Sequence, residues 1–321
     1  MDFLANYFGS LNPMSFLSAL PGNIAQGIIW GLMGLGVFLT FKLLNFADLS
    51  VDGSFATGGA VTAVMRINGC PVWATIIVAI LAGLAAGLVT GLLHTLLGIP
   101  DILAGILTQI ALYSINLNIM GKSNLPISYR NYTLVVSASN INMAILVGLG
   151  ICAVVIAAMY WYFGTEQGST IRSTGSNPAM SKAQGININF TKVIALALSN
   201  GLVALSGSLF AQYQGFADIN MGRGAIVIGL AAVIIGEVLG EAIFRKHMNF
   251  IIRMLFVIVG GILYYIAMGI VLWLKMPTDD TKLFTAIIVA IFLAVPYLQK
   301  KRKTSFKKVA KMNAKNAQKE G

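Results

Sequence analysis

The chain has 321 residues, of which 57% are hydrophobic and only 10% charged, with a mean hydropathy of +0.81. Soluble domains carry about 25% charged residues, so this composition excludes a water-soluble globular fold and leaves no room for a separate catalytic domain. The formal charge of +11 gathers near the C-terminus, where nine Lys/Arg against the single acid Glu320 give the stretch from Lys300 a net +8.

Taken in order, Phe3, Leu4, Tyr7, Phe8 and Leu11 share one helical face before Asn12-Pro13, the pattern of a helix lying in a membrane interface. Residues 1–22 are therefore an N-terminal interfacial segment, and Asp2, their one charge, gives no basic start for a cleaved signal peptide. Apolar stretches of spanning length follow at 23–41, 73–93, 101–120, 143–163, 192–213, 224–240, 250–274 and 283–299, with a shorter Gly-rich piece at 51–65. The expected fold is an all-α polytopic membrane protein of eight or nine transmembrane helices, with a broken or re-entrant segment near 45–65. The membrane-spanning body is 23–299, and 300–321 is a basic cytoplasmic tail.

The tail suits either an anionic partner (lipid or nucleic acid) or a positive-inside anchor; the anchor is preferred, with membrane lipid and no nucleic acid expected as partner. Counting back from a cytoplasmic C-terminus puts 164–191 inside, 121–142 outside and Lys42–Asp48 inside. Small residues recur at four-residue spacing at Ala79, Gly83, Gly87 and Gly91, at Gly27 and Gly31, and at Gly236 and Gly240. Such ridges serve close helix packing, within the chain or between copies. Cys70 and Cys152 fall in different settings, and no disulfide is expected between them. His94 and His247 sit in no metal-ligand spacing, and Gly121-Lys122-Ser123 lacks the earlier glycine of a phosphate-binding loop.

The island between two apolar spans carries the sharpest local signals. Asn177 is placed as an N-cap, Pro178 at the first helical position, and Gly185 to close a short helix over Ala179–Gln184 in a left-handed cap. A short helix held at a membrane face suits docking of a partner, although an ordinary surface turn would use the same residues.

The run from Arg172 through Gly175, Asn177, Pro178, Lys182, Ala183 and Gly185 to Ile186 resembles the cytoplasmic coupling loop of ATP-binding-cassette (ABC) importer permeases of the branched-chain amino-acid and ribose type. Leu44-Asn45-Phe46-Ala47-Asp48 with Gly53, and Ala204 to Ala211 with Gly222 and Gly236, resemble the same family in the same order, over roughly 27–240. The form of Asn45 to Gly53 is similar to the tryptophan/tyrosine permease subgroup. The resemblance implies a bacterial inner-membrane protein working as a homodimer, with a separate ATPase docked on the coupling loop and an extracytoplasmic binding protein delivering substrate. It implies no cofactor on this chain, ATP being bound by the partner, and no enzymatic activity of its own.

Polar residues at membrane depth are the candidates for a path, because lipid cannot solvate them. Asn45, Asp48, Asp52 and Gly53 interrupt a would-be helical pair, and Gln109 and Asn116 lie on the 101–120 helix. A broken helix of this kind can line a transporter cavity. The competing structural reading has Asp48 and Asp52 capping the next helix at an interface. Asn118, Asn200, Gln212 and Gln214 suit interhelical hydrogen bonds, and Glu237 with Glu241 suit pairing with Arg245 or Arg253. Three functions stay open on the residues alone: an ABC importer (for amino acids, nucleosides or sugars), an ion-coupled carrier or channel using Asp48, Asp52 or Glu237, and an intramembrane enzyme. Enzyme constellations are the scarcest of the three.

Overall fold

A computed structural model describes residues 13–128, 132–244, 248–274, 283–292 and 294. The expected interfacial helix over 3–11, the basic tail, His247, Arg245 and the loop before Leu283 lie outside the described residues.

Helix α1 (Pro13–Val37) runs on into a six-residue π-helical turn, Phe38–Leu43. It starts ahead of the expected boundary at 22. Pro13 can open a helix because the first turn needs no N–H from it, and residues 13–22 continue without a break into the span. Then follow α2 (Val51–Ile67), α3 (Val72–Leu96), α4 (Asp101–Met120), strand β1 (Asn124–Pro126), α5 (Ile141–Phe163), α6 (Glu166–Ser176) and α7 (Pro178–Ala183). The chain closes with α8 (Ile188–Gln214), strand β2 (Phe216–Asp218), α9 (Ala225–Phe244), α10 (Phe250–Trp273) and α11 (Leu283–Phe292). Among the described residues, seven helices are long and apolar enough to cross a membrane, and α2 and α11 are shorter. Among the described residues, the one departure from helices and their connections is an antiparallel two-strand ribbon, with Leu125 opposite Ala217.

α1, α2 and α8 make the centre. Ser206 and Ser199 on α8 donate to the Ile29 and Gly36 carbonyls at 2.6 and 2.8 Å, so α1 and α8 run antiparallel. Thr62 donates to Ser208 at 2.7 Å, and a Cβ on Gly207 would overlap the Phe55 carbonyl, so α2 lies against α8 along its outer half. Trp30 stacks on Phe55 at 4.7 Å and meets the edge of Phe210 at 5.3 Å, filling the space between the three helices.

The small-residue ridges pack within the chain. Gly83 and Gly87 on α3 face the backbone carbonyls of Asn200 and Leu196 on α8, and Gly27 and Gly31 face α10 at Ile262 and Ile258. Gly236 meets Phe256 in the same way. Interhelical hydrogen bonds contribute about 0.6 kcal/mol each in lipid. The many backbone-to-backbone approaches therefore decide the arrangement, and a side chain larger than hydrogen at Gly58 or Gly207 would push the α2–α8 pair apart.

Candidate functional site

Two breaks in the helical ladder meet inside the bundle. After the π-helical turn, Asn45 takes a left-handed φ of +55°, which asparagine tolerates better than most residues, and the chain turns back into the protein. Asp48 then lies beside Asn200, next to the Ser199 that bonds Gly36, so residues 44–50 return well into the bundle before α2 begins. This is the broken segment expected near 45–65. Asp48 is buried: one carboxylate oxygen accepts from the Ser50 N–H at 2.9 Å, and the other from Asn200 Nδ2 at 2.7 Å.

The second break comes from the ribbon end of the bundle. Segment 219–224 descends until Gly222 touches the Asp52 carbonyl, and α9 starts there. Asp52 accepts from the N–H groups of Gly224 and Ile226, both at 2.9 Å. It stands in the first turn of α2 and also closes the N-terminus of α9, so one carboxylate faces the positive ends of two helices. The capping reading of Asp52 is thus right in kind, but the helix it serves is mainly a distant one.

Beside this junction lies a cleft of about 300 Å³, lined by Asp52, Gly53, Gln109, Tyr113, Asn116 and Arg223, with Asn220 and Ser114 at its edge. Four of the six residues expected to line a path are together here. Asn45 is exposed at the α6–α7 end, and Asp48 is sealed behind α2, so neither reaches the cleft. Gly53 permits the approach of α4, since a Cβ there would press on Leu112 and the Gln109 backbone. Arg223, Tyr113 and Asn220 were not singled out beforehand. Arg223 is a lone cation in a short inter-span segment, which was the available signal.

At the opposite end, α6 and α7 form a compact polar hairpin. Asn177 accepts from the Met180 N–H at 3.0 Å, and Pro178 occupies the first turn of α7. The helix closes at Ala183, one residue earlier than expected, with Gln184 as its C-cap. Gly185 has φ +81°, its N–H reaches the Lys182 carbonyl at 3.0 Å, and the Ile186 N–H reaches Ser181 at 3.1 Å. That double bond is the Schellman closure, which needs a residue free to adopt positive φ. Ser181 is buried; Pro178, Lys182, Ala183 and Gln184 are exposed, and Met180 and Phe190 are each 59% exposed.

Helix α6 was not foreseen, although Thr165 caps Gly168 and Glu166 sits in the first turn. It supports α7 and packs so tightly on the end of α1 that a Cβ on Gly175 would overlap the Leu43 carbonyl. Arg172 lies over the Phe250 ring, 6.0 Å from its centroid. Glu237 pairs with Lys42 at 2.8 Å and with Arg253 at 3.7 Å; the Arg253 partner was expected and Lys42 was not. His94 is held by the Ile99 carbonyl at 2.8 Å and by Lys192 at 2.9 Å, a pattern that puts the imidazole proton on Nδ1. Among the described residues no group of three or more His, Cys, Asp or Glu could hold a metal ion.

Residues 22–296 match the family described as branched-chain amino acid transport system / permease component. The chain belongs to that permease family. This permease is 42% identical over 301 residues to the tyrosine transport system permease protein of Clostridioides difficile (strain R20291), covering 93% of this chain and 99% of that one. It is 25% identical over 261 residues to the D-allose transport system permease protein of Escherichia coli (strain K12), covering 80% and 77%. Among solved structures, PsaBC from Streptococcus pneumoniae in complex with Fab aligns with a TM-score of 0.51 and 16% identity, over 91% of the permease and 94% of that chain. That last likeness bears on the fold alone. The permease is a membrane transport subunit, in keeping with both the polar breaks and the apolar helices around them.

Proposed function

We propose that this permease is the membrane-spanning half of an ABC importer for amino acids, aromatic or branched-chain. The observation that carries the substrate class is the 42% identity, along nearly the whole of both chains, to a tyrosine transport permease. An ATPase subunit, which alone binds ATP, docks on the exposed face of α7 together with Met180 and Phe190. Gly175 hands the motion of that hairpin to the end of α1 and so to the segment leading into α2. An extracytoplasmic binding protein delivers substrate at the ribbon end. The α6–α7 end and the C-terminus face the cytoplasm of a bacterial cell, and the permease itself catalyses nothing and needs no cofactor.

Two copies form the path. Leu103, Ile110 and Leu117 make an exposed stripe on α4 at seven-residue spacing, and the polar cleft opens beside it. Lipid cannot solvate such a cleft, whereas a second copy can enclose it. The three carboxylates that an ion-coupled carrier would use are committed elsewhere: Asp48 to Ser50 and Asn200, Asp52 to α9, Glu237 to Lys42 and Arg253.

Uptake measured with a panel of competitors tests this. The expected result is ATP-dependent, vanadate-sensitive uptake inhibited by tyrosine, tryptophan or leucine. Inhibition by ribose or nucleosides alone would replace the substrate class. Uptake abolished by a protonophore while ATP is held constant would replace the energy source.

A further inference from the structure

The cleft between α2, α4 and segment 219–223 holds polar groups that the protomer leaves unmatched. Asn116 is 1% exposed, and neither its Oδ1 nor its Nδ2 has a hydrogen-bond partner. Leaving a buried amide unsatisfied is destabilising, because its lost hydration is not replaced, and an apolar residue at this point of α4 would avoid it. Across the cleft, the Arg223 side chain makes no ion pair and no hydrogen bond among the described residues. The N-termini of α2 and α9 also converge here, with one carboxylate between them whose two oxygens are already taken by Gly224 and Ile226. Asp52 offsets the charge of Arg223, which is exposed at the cleft, and the two helix N-termini leave the junction with a positive bias.

We propose that this cleft is a substrate-holding site within the membrane, in which Arg223 takes the α-carboxylate of an amino acid and the Asn116 amide binds a second polar group of its backbone. This rests on the amino-acid reading above. A guanidinium matches a carboxylate in a two-pronged geometry that no hydroxyl reproduces, so a sugar would leave Arg223 unanswered. A polyanion would need several cations, and the cleft presents one. Half-helix N-termini aimed at an anionic group are a recurrent way to bind substrate at membrane depth. The volume of about 300 Å³ lies at the lower end of small-molecule sites, about 300–1,000 Å³, and suits a single amino acid. Tyr113, 43% exposed and in the same lining, gives an apolar or aromatic side chain a ring to pack against.

The test is equilibrium binding of tritiated L-tyrosine to the permease–ATPase complex in lipid nanodiscs, with the binding protein left out. Wild type should bind saturably, and unlabelled tyrosine should displace the label while tyramine, which lacks the carboxylate, should not. Arg223→Gln and Asn116→Leu should each weaken binding about 10-fold or more, the scale of a charge-assisted or fully buried hydrogen bond. Arg223→Lys should retain part of the affinity. Gel filtration of each assembled complex separates a lost site from a lost fold, and Asn116→Ala replaces Asn116→Leu if the larger residue prevents assembly. Absence of saturable binding in wild type, unchanged affinity in both variants, or displacement by tyramine equal to that by tyrosine would each overturn the site. Cellular uptake by wild type, measured alongside, separates the two levels. Amino-acid uptake with unaltered variant binding removes the cleft site and leaves the importer; no amino-acid uptake removes both.

Discussion

Helices α8 and α4 flank α2 on opposite sides, yet their surroundings differ sharply: 72% of the apolar window of α8 is buried and only 28% of that of α4. On α8 most polar side chains are answered inside the protomer, Gln212 only in part: its Oε1 accepts from the Val135 N–H while its Nε2 has no partner. Ser199 and Ser206 bond α1, Ser208 bonds Thr62, and Asn200 bonds Asp48. On α4, Thr108 is bonded to Thr90, while Asn116 has no partner and Gln109 faces the cleft. One helix is a spine fixed by glycine-to-backbone packing. The other is a wall finished on one side only, whose polar groups wait for something the single chain does not supply.

Substitutions should separate the two in order of size. Gly207→Leu on α8 should have the largest effect, because its side chain must displace the α2 backbone at Phe55. We expect no monodisperse permease after detergent extraction, and normal recovery would mean that α8 is no spine. Gly175→Leu comes next. It opens the joint between α6 and the end of α1 while leaving the centre packed, so the protein should extract normally but lose at least about 90% of ATP-driven uptake if the joint shifts by the ~1 Å that packed elements cannot absorb. Gly185→Val acts more locally. A Cβ at φ +81° meets no neighbour, so the strain is in the backbone alone, about 1–2 kcal/mol; it should loosen α7 and lower ATPase co-purification several-fold without altering extraction. On the α4 side, Ile110→Cys in a cysteine-free background should form a cross-linked dimer in membranes with a short bifunctional reagent. Failure of Leu103, Ile110 and Leu117 cysteines alike would remove the proposed second copy from this face. Smallest of all, Leu146→Ala on α5, 67% exposed and away from both helices, should change stability by no more than about 0.5 kcal/mol, as at other uncovered positions.

The parts legible in the sequence are those whose physics is local. The caps of α7 depend on Asn177, Pro178 and Gly185, all within one turn of the bonds they form, and they appear where the chain spacing puts them. The break near Asn45–Gly53 is legible because carboxylates interrupt an apolar run. The partner of Asp52 is not, since Gly224 lies 172 positions away and nothing in either segment names the other. The same holds for Glu237 with Lys42, separated by 195 positions. Gln109 and Asn116 stand out in the sequence as polar residues in an apolar span, candidates for a path. Only the fold reveals that Asn116 is left over, because satisfaction is a property of neighbours and not of spacing. The extension of α1 over 13–22 was not legible for a related reason: a proline can end one helix and also open the next.

The bond between Asp52 and the start of α9 also constrains how the centre can move. Two helices joined head to head cannot tilt independently without giving up both N–H contacts to one carboxylate. Glu237, farther along α9, is held in turn by Lys42 at the end of α1. The junction therefore behaves as a strut pinned at two points, with few degrees of freedom of its own. A displacement imposed at the hairpin end would travel along it whole, and relative sliding would fall to the α4 wall, whose one side-chain bond to a neighbouring helix among the described residues is Thr90 to Thr108.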